Sequence, residues 1–223
     1  MSKDNKSPVN AAEYDKKISV LLPYYSDFHA QTLSLVQNMG YEKVRWLDLG
    51  CGTGTLAQKA CSLINEISFV MLDPSAQMLE VAKTNNPGLE AEYLCAPSEA
   101  IDFTEEFQVV TAIQSHHYMT EEARKHTTQK VFNALKPGGM YITFENVVPE
   151  MPELRQLELQ RWGSYQRGNG RTEEQIKAHQ SRCGVEYLPI TVPKHIRLMK
   201  EAGFRAVHVF WISYMQAGIY GIK

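Results

Sequence analysis

The chain has 223 residues, 43% apolar, 10% aromatic and 22% charged, with a formal net charge of −2, a balance that excludes disordered and collagen-like classes and leaves an ordinary globular protein. Roughly 70–75% of the unfolded surface is buried at this length, so a single domain over 1–223 needs no staple, and Cys51, Cys61, Cys95 and Cys183, with no CxxC pair, form neither a zinc ribbon nor a disulfide framework. The opening MSKDNKSPVN has no apolar run behind it and no stretch of about 18 apolar residues follows, which argues against a signal peptide or membrane span and for reduced thiols in a cytoplasmic protein.

In chain order, residues 10–40 read as an amphipathic, Tyr-rich N-terminal cap in which Pro23 divides two helical patterns. Short apolar or β-branched runs then alternate with helical ones. VRWLDL (44–49), ISFVML (67–72), AEYLC (91–95), FQVVTAI (107–113) and MYITFE (140–145) read as buried strands. TLAQKACSLI (55–64), SAQMLEVAKTN (75–85) and TEEARKHTTQKVFNAL (120–135) read as helices with Ser or Thr at the N-caps. That alternation predicts an α/β fold, a parallel sheet with helices on both faces. Lys136-Pro137-Gly138-Gly139 stops a helix and turns the chain into the fifth strand. Residues 147–190 hold two further helical patterns around Gly168-Asn169-Gly170 and read as an inserted helical lid over the substrate. Thr191 caps a helix to Glu201, and VHVFWISY and AGIYGI close the sheet as an antiparallel hairpin.

The strongest motif is Leu47-Asp48-Leu49-Gly50-Cys51-Gly52-Thr53-Gly54, at the passage from the first strand to a helix. Glycines there permit a tight turn and let backbone N–H groups approach a ligand. The spacing is GxGxG; the third glycine of a dinucleotide fingerprint would fall at Thr55, which argues against a nicotinamide dehydrogenase. The second strand ends in Asp73, where a carboxylate accepts the two hydroxyls of a ribose or, alternatively, caps the helix after Pro74-Ser75.

These residues resemble the class I S-adenosylmethionine-dependent methyltransferases. The likeness rests on LDLGCGTG (47–54), LDPSAQML (72–79), FQVVTAI with SHHYM (107–119) and LKPGGMYITFE (135–145), in order over residues 44–146. It implies a Rossmann-like, seven-stranded methyltransferase sheet and S-adenosylmethionine as cofactor, with S-adenosylhomocysteine as product. By motif, Asp48, Gly50, Cys51, Gly52 and Gly54 pass the methionine part and ribose, Asp73 and Pro74 the ribose, Met78 walls the adenine, and Ile113 and Gln114 end the fourth strand beside it. Where the family often has Asp followed by a small residue, this chain has Ala96-Pro97-Ser98-Glu99, so Ser98, Glu99 or a backbone carbonyl takes the adenine amino group. The ends, Tyr14-Asp15 with Pro23-Tyr24-Tyr25-Ser26 and Ala202-Gly203-Phe204 with Trp211 and AGIYGIK, are similar to the carboxy-S-adenosylmethionine synthase branch and to tRNA wobble-uridine methyltransferases. That narrower likeness places Tyr25 on the cofactor and Arg182 nearest a carboxylate-binding arginine.

Methyl transfer from a sulfonium is an in-line displacement that needs alignment and, for some nucleophiles, a base. His116 and His117, in the tract Gln114-Ser115-His116-His117-Tyr118 at the C-terminal edge of the sheet, are the candidate catalytic residues; at most one faces the substrate, and both packing inward is the alternative. Glu145 ends the fifth strand on the same edge, either orienting an amine or water or capping the next helix. No metal is expected, because adjacent histidines rarely chelate one ion. Tyr24, Tyr118, Glu145, Trp162 and Arg182 are the substrate candidates. Residues 1–150 hold 12 basic against 19 acidic side chains and residues 151–223 hold 11 against 6; Arg155, Arg161, Arg167, Arg171 and Arg182 either grip an anion or pair with Glu153, Glu158, Glu173 and Glu174 along a helix. A small-molecule acceptor is expected, since a pI near 6.4 suits tRNA less well. A wobble-uridine enzyme of methyl or carboxymethyl chemistry, or a non-catalytic cofactor-binding subunit, are the alternatives; no membrane partner is expected, and a dimer is open.

Overall fold

The structure, a computed structural model, describes residues 11–223; residues 1–10, including the start of the expected cap and the tract read for a signal peptide, lie outside them. Helices α1 (Tyr14–Leu21) and α2 (Tyr25–Asn38) flank Pro23, and β1 (Val44–Leu49), α3 (Thr55–Cys61), β2 (Ile67–Asp73), α4 (Ala76–Asn85), β3 (Ala91–Cys95), β4 (Phe107–Ile113), α5 (Glu121–Ala134) and β5 (Leu135–Asn146) follow. The insert supplies α6 (Glu153–Gly168) and α7 (Glu173–Ser181), and α8 (Val192–Ala202), β6 (Ala206–Ser213) and β7 (Gln216–Ile222) complete the order.

Local chemistry explains the boundaries. Ser75, Thr120, Thr172 and Thr191 each accept a backbone N–H at the N-cap of α4, α5, α7 and α8. Two boundaries differ from the sequence reading by more than one residue. Helix α3 stops at Cys61, three residues early, where the C-cap Ser62 turns its hydroxyl onto the Lys59 carbonyl at 2.7 Å. Strand β5 begins at Leu135 and carries the Pro-Gly-Gly tract inside it, as a register shift in its pairing with β4; φ is +77° at Gly138, which takes up the kink.

The sheet order is β3-β2-β1-β4-β5-β7-β6, parallel through β5 and antiparallel over β5, β7 and β6. Successive β1 side chains enter opposite layers, Trp46 with Phe28 and Phe144, and Leu47 with Val110 and Tyr141, because a strand alternates faces and both faces carry helices. From β1 the chain winds outward through β2 and β3, then returns to start β4 on the other side of β1. The reversal opens a crevice at the C-terminal ends of β1 and β4, where open α/β sheets bind ligands. Among the described residues no helix is long and apolar enough to cross a membrane.

Candidate active site

The loop leaving β1 is folded by its glycines. The N–H groups of Gly50 and Cys51 both donate to the Leu72 carbonyl (2.7 and 3.0 Å), and the Gly52 N–H donates to Asp73 Oδ2 at 2.9 Å. Gly50 and Gly52 have φ of +70° and +54°, a region L side chains enter only under strain. A Cβ on Gly50 would stand 2.5 Å from Ser115 Cβ, whereas one on Gly52 would meet nothing within 4 Å. The first glycine therefore lets the two loops of the crevice touch, and the second leaves its Cα side open.

Above these loops is a cavity of ≈ 290 Å³. Its floor is Gly50, Gly52, Asp73 and Pro74, one wall is Met78 with Pro97, Ser98 and Glu99, and another is Ile113, Gln114 and Ser115 at the end of β4. The far side is His117, Tyr118 and Met119, with Asn146, His179, Arg182 and Tyr187 from β5 and the insert; Tyr14, Ile18, Leu21 and Leu22 of the N-terminal cap roof it. A second cavity of ≈ 30 Å³, lined by Tyr25, His29, Asp48 and Cys51, shares Tyr14, Gly50, Gly52 and Ile113 with the first.

Asp73 Oδ1 also accepts from the Ser75 N–H (2.9 Å), but Ser75 Oγ caps α4 by accepting the Met78 N–H at 3.1 Å. Ser75 is thus the N-cap of α4, and Asp73 fastens the turn before it and lines the cavity. Asp48 is buried and accepts from Thr111 Oγ1 (2.7 Å), which itself accepts from Trp46 Nε1 (2.8 Å). Burial, opposed by the Thr111 bond and reinforced by the Asp73 charge, pushes its carboxyl up to about 7. Gln114, a non-glycine residue at φ +56°, is held there by its N–H to the Phe144 carbonyl at 2.7 Å, backbone strain at the crevice that neighbouring strands enforce.

The two histidines part company. His117 lines the large cavity and its Nδ1 lies 3.0 Å from Glu145 Oε2, both side chains buried. His116 does not line it; the short 3-10 turn turns its ring behind the loop, where Nδ1 meets the Tyr141 hydroxyl at 3.0 Å and Nε2 has no partner. Burial lowers His116 to about 4. Glu145 caps no helix: it accepts Thr143 Oγ1 (2.7 Å) and the His116 N–H (3.3 Å) on Oε1 and His117 on Oε2. Burial would raise it, but the His117 hydrogen bond and the neighbouring imidazoles hold it down to about 2.

Other sequence candidates also stand elsewhere. Gly54 packs α3 on α4, where a Cβ would fall 2.6 Å from Asn86 Nδ2. Trp162 is core, donating Nε1–H to the Leu21 carbonyl at 2.8 Å, and Tyr24 is exposed against Tyr214. Neither lines the cavity: the Trp162 ring lies in the seam between the insert and α1, and the Tyr24 ring lies outside against Tyr214. Sequence reading missed Ile18, Leu21, Leu22, Ser115, Met119, Asn146, His179 and Tyr187 as cavity walls. The signal for the first three was the apolar face of the cap, and Ser115, Met119 and Asn146 lie at or just past the C-terminal ends of β4 and β5; His179 and Tyr187 carry none, since only the packing of the insert brings them there. Arg124 ties this seam by donating to the carbonyls of His116 (3.2 Å), Met119 (3.2 Å) and Leu188 (2.8 Å), and the Leu188 N–H returns to the His117 carbonyl at 2.7 Å. Among the described residues no cluster of three or more metal-ligating side chains occurs.

The sequence model of the methyltransferase domain matches residues 47–139, from the glycine loop to the Pro-Gly-Gly kink. Fold, cavity and this match together support a class I S-adenosylmethionine-dependent methyltransferase, an enzyme with S-adenosylmethionine as cofactor. The chain is similar to the carboxy-S-adenosyl-L-methionine synthase of Wolinella succinogenes, 27% identical over 92% of this chain and 88% of the relative, and to that of Nautilia profundicola, 20% identical over 89% and 86%. Its fold is that of an S-adenosylmethionine-dependent methyltransferase structure from Thermotoga maritima (TM-score 0.61, 16% identical, covering 95% of each chain). The residues fit the cofactor: the open side of Gly52 for close approach, the Asp73 carboxylate for ribose hydroxyls, Met78 and Ser98 for adenine, and the smaller cavity at Asp48 and Tyr25 for the amino-acid end. When bound, it supplies an electrophilic methyl on a sulfonium.

Proposed function

We propose that this enzyme transfers the methyl group to a small-molecule acceptor held between the glycine loop and the helical insert. The observation that carries the reading is that one cavity is lined on one side by Gly50, Gly52, Asp73 and Met78 and on the other by His117, Tyr118, His179, Arg182 and Tyr187. Cofactor and acceptor halves are thereby continuous, with α1 along one side of both. The insert acts as the lid of this site, and the reduced thiols fit a cytoplasmic setting.

The lid arginines favour a small molecule over RNA. Arg161 pairs with Glu158 at 2.6 Å, Arg167 with Glu173, and Arg182 with Glu186 at 2.7 Å. Arg155 donates to the Cys183 carbonyl (3.3 Å) and Arg171 to the Gln175 carbonyl (3.0 Å). A phosphate backbone would have to displace these partners.

A second reading, synthesis of a carboxylated sulfonium, is supported by the names of the two relatives and by Arg182 at the cavity wall. Native mass spectrometry of the purified protein, followed by identification of the released ligand, separates the two. S-Adenosylmethionine or S-adenosylhomocysteine, followed by methyl transfer in an acceptor screen, supports the first; a ligand heavier by a carboxyl group supports the second. A stripped protein that gives no calorimetric signal with either cofactor form overturns both.

A further inference from the structure

We propose that His117 is the proton acceptor of the reaction and Glu145 its positioning residue, so that the acceptor is a molecule whose nucleophilic atom carries a proton, a hydroxyl or an amine N–H. This deepens the methyl-transfer reading and rests on it. His117 is the imidazole of the 116–117 pair that lines the cavity. Its Nδ1 faces Glu145 Oε2 at 3.0 Å, and a carboxylate accepts only, so the proton sits on Nδ1 and the Nε2 lone pair is left for chemistry.

The carboxylate is fixed in turn. Oε1 accepts the Thr143 hydroxyl (2.7 Å) and the His116 N–H (3.3 Å), which reserves Oε2 for the imidazole. Tyr118, 4.4 Å from the ring centroid, and Tyr187, 6.1 Å away and perpendicular, hold the ring plane. The step balances: the X–C bond to the acceptor forms as the sulfonium S–C bond breaks, the X–H proton passes to Nε2, and the positive charge lost at sulfur reappears as an imidazolium beside the Glu145 carboxylate. Charge assistance from a buried carboxylate favours that imidazolium.

The arrangement makes a sharp prediction for Glu145→Gln. The His116 backbone N–H, which can only donate, selects the amide oxygen on the Oε1 side and turns the amide nitrogen toward His117, where it donates to Nδ1 and forces the proton to Nε2. Long-range 1H–15N spectra of 15N-histidine protein are expected to show the Nδ1–H tautomer for His117 in the native chain and in Glu145→Asp, and the Nε2–H tautomer in Glu145→Gln. Reaction with diethyl pyrocarbonate, mapped by mass spectrometry, reads Nε2 nucleophilicity without any acceptor: His117 is expected to be modified in the native protein and in Glu145→Asp, and at least ~10-fold more slowly in Glu145→Gln. A native His117 with its proton on Nε2, or equal labelling in native protein and Glu145→Gln, overturns the proposal. So does a methyl-transfer screen in which turnover is confined to thioethers and tertiary amines. Calorimetry with S-adenosylmethionine on the same proteins separates the two levels: loss of binding in the native chain overturns the methyl-transfer reading, while intact binding with the wrong tautomer overturns the dyad alone.

Discussion

Gly50 and Gly52 stand two residues apart at positive φ, yet replacement should separate stability from binding. Gly50→Ala adds a strained φ of roughly 1–2 kcal/mol and a Cβ 2.5 Å from Ser115 Cβ. A drop in unfolding free energy of about 2–4 kcal/mol is expected, read by denaturant titration. Gly52→Ala meets no neighbour within 4 Å, so only about 1–2 kcal/mol is lost, but the added methyl enters the cofactor cavity. Calorimetry should find S-adenosylmethionine affinity reduced at least ~10-fold, about 1.4 kcal/mol. Asp73→Ala removes the carboxylate that fastens the Gly52 N–H and faces the cavity; binding is expected to weaken by at least ~1.5 kcal/mol. Unchanged affinity would leave Asp73 a fastener of the loop and nothing more. Most of these residues were legible in the sequence, because glycines at fixed spacing and an acid at a strand end record a local backbone requirement.

At the scale of elements, α1 is tied to the glycine loop by side-chain hydrogen bonds. Asp15 of α1 accepts the hydroxyls of Thr53 (2.7 Å) and Thr55 (3.0 Å), joining the cap to the glycine loop, and Tyr165 and Trp162 of α6 donate to the carbonyls of Ser19 and Leu21 (2.8 Å each). Cofactor exchange is expected to pass α1, whose Tyr14, Ile18 and Leu21 line the cavity. Asp15→Ala removes an exposed latch of about 1 kcal/mol, so stopped-flow should show cofactor dissociation several-fold faster, with Tm lowered by no more than about 4 °C; an unchanged rate would mean that entry bypasses α1. The existence and order of the elements follow from period and caps. Their ends at Cys61 and Leu135 do not, because a C-cap hydroxyl and a bulge within a paired strand leave no periodic trace.

Across the whole molecule, buried imidazoles set the acid limit. Burial lowers His29 and His179 to about 3 and His116 and His195 to about 4, against 6.5 when exposed. Between those values the unfolded chain binds more protons than the folded one, so stability falls as pH falls from about 6.5, on the order of 1–2 kcal/mol per histidine by pH 5. Glu145, held down to about 2 against 4.5, adds to the loss below pH 4.5, while Asp48, pushed up to about 7, opposes it. The net expectation is a Tm that declines steadily from pH 6.5 to 4 in a calorimetric series; a flat profile would mean these imidazoles are solvated in solution.

The sequence by itself determined the class: alternating periods dictate a doubly wound sheet, and GxGxG with a strand-ending Asp73 dictates a nucleoside site, since both are encoded within a few residues of backbone geometry. Only the tertiary structure decided which histidine faces the cavity, that Glu145 meets His117 across 28 residues of chain, and that Trp162 and Tyr24 fall outside while His179 and Tyr187 line it. The direction of a side chain on a short turn, and the seating of a helical insert on a distant helix, depend on contacts between segments remote in the chain, and no local pattern carries them.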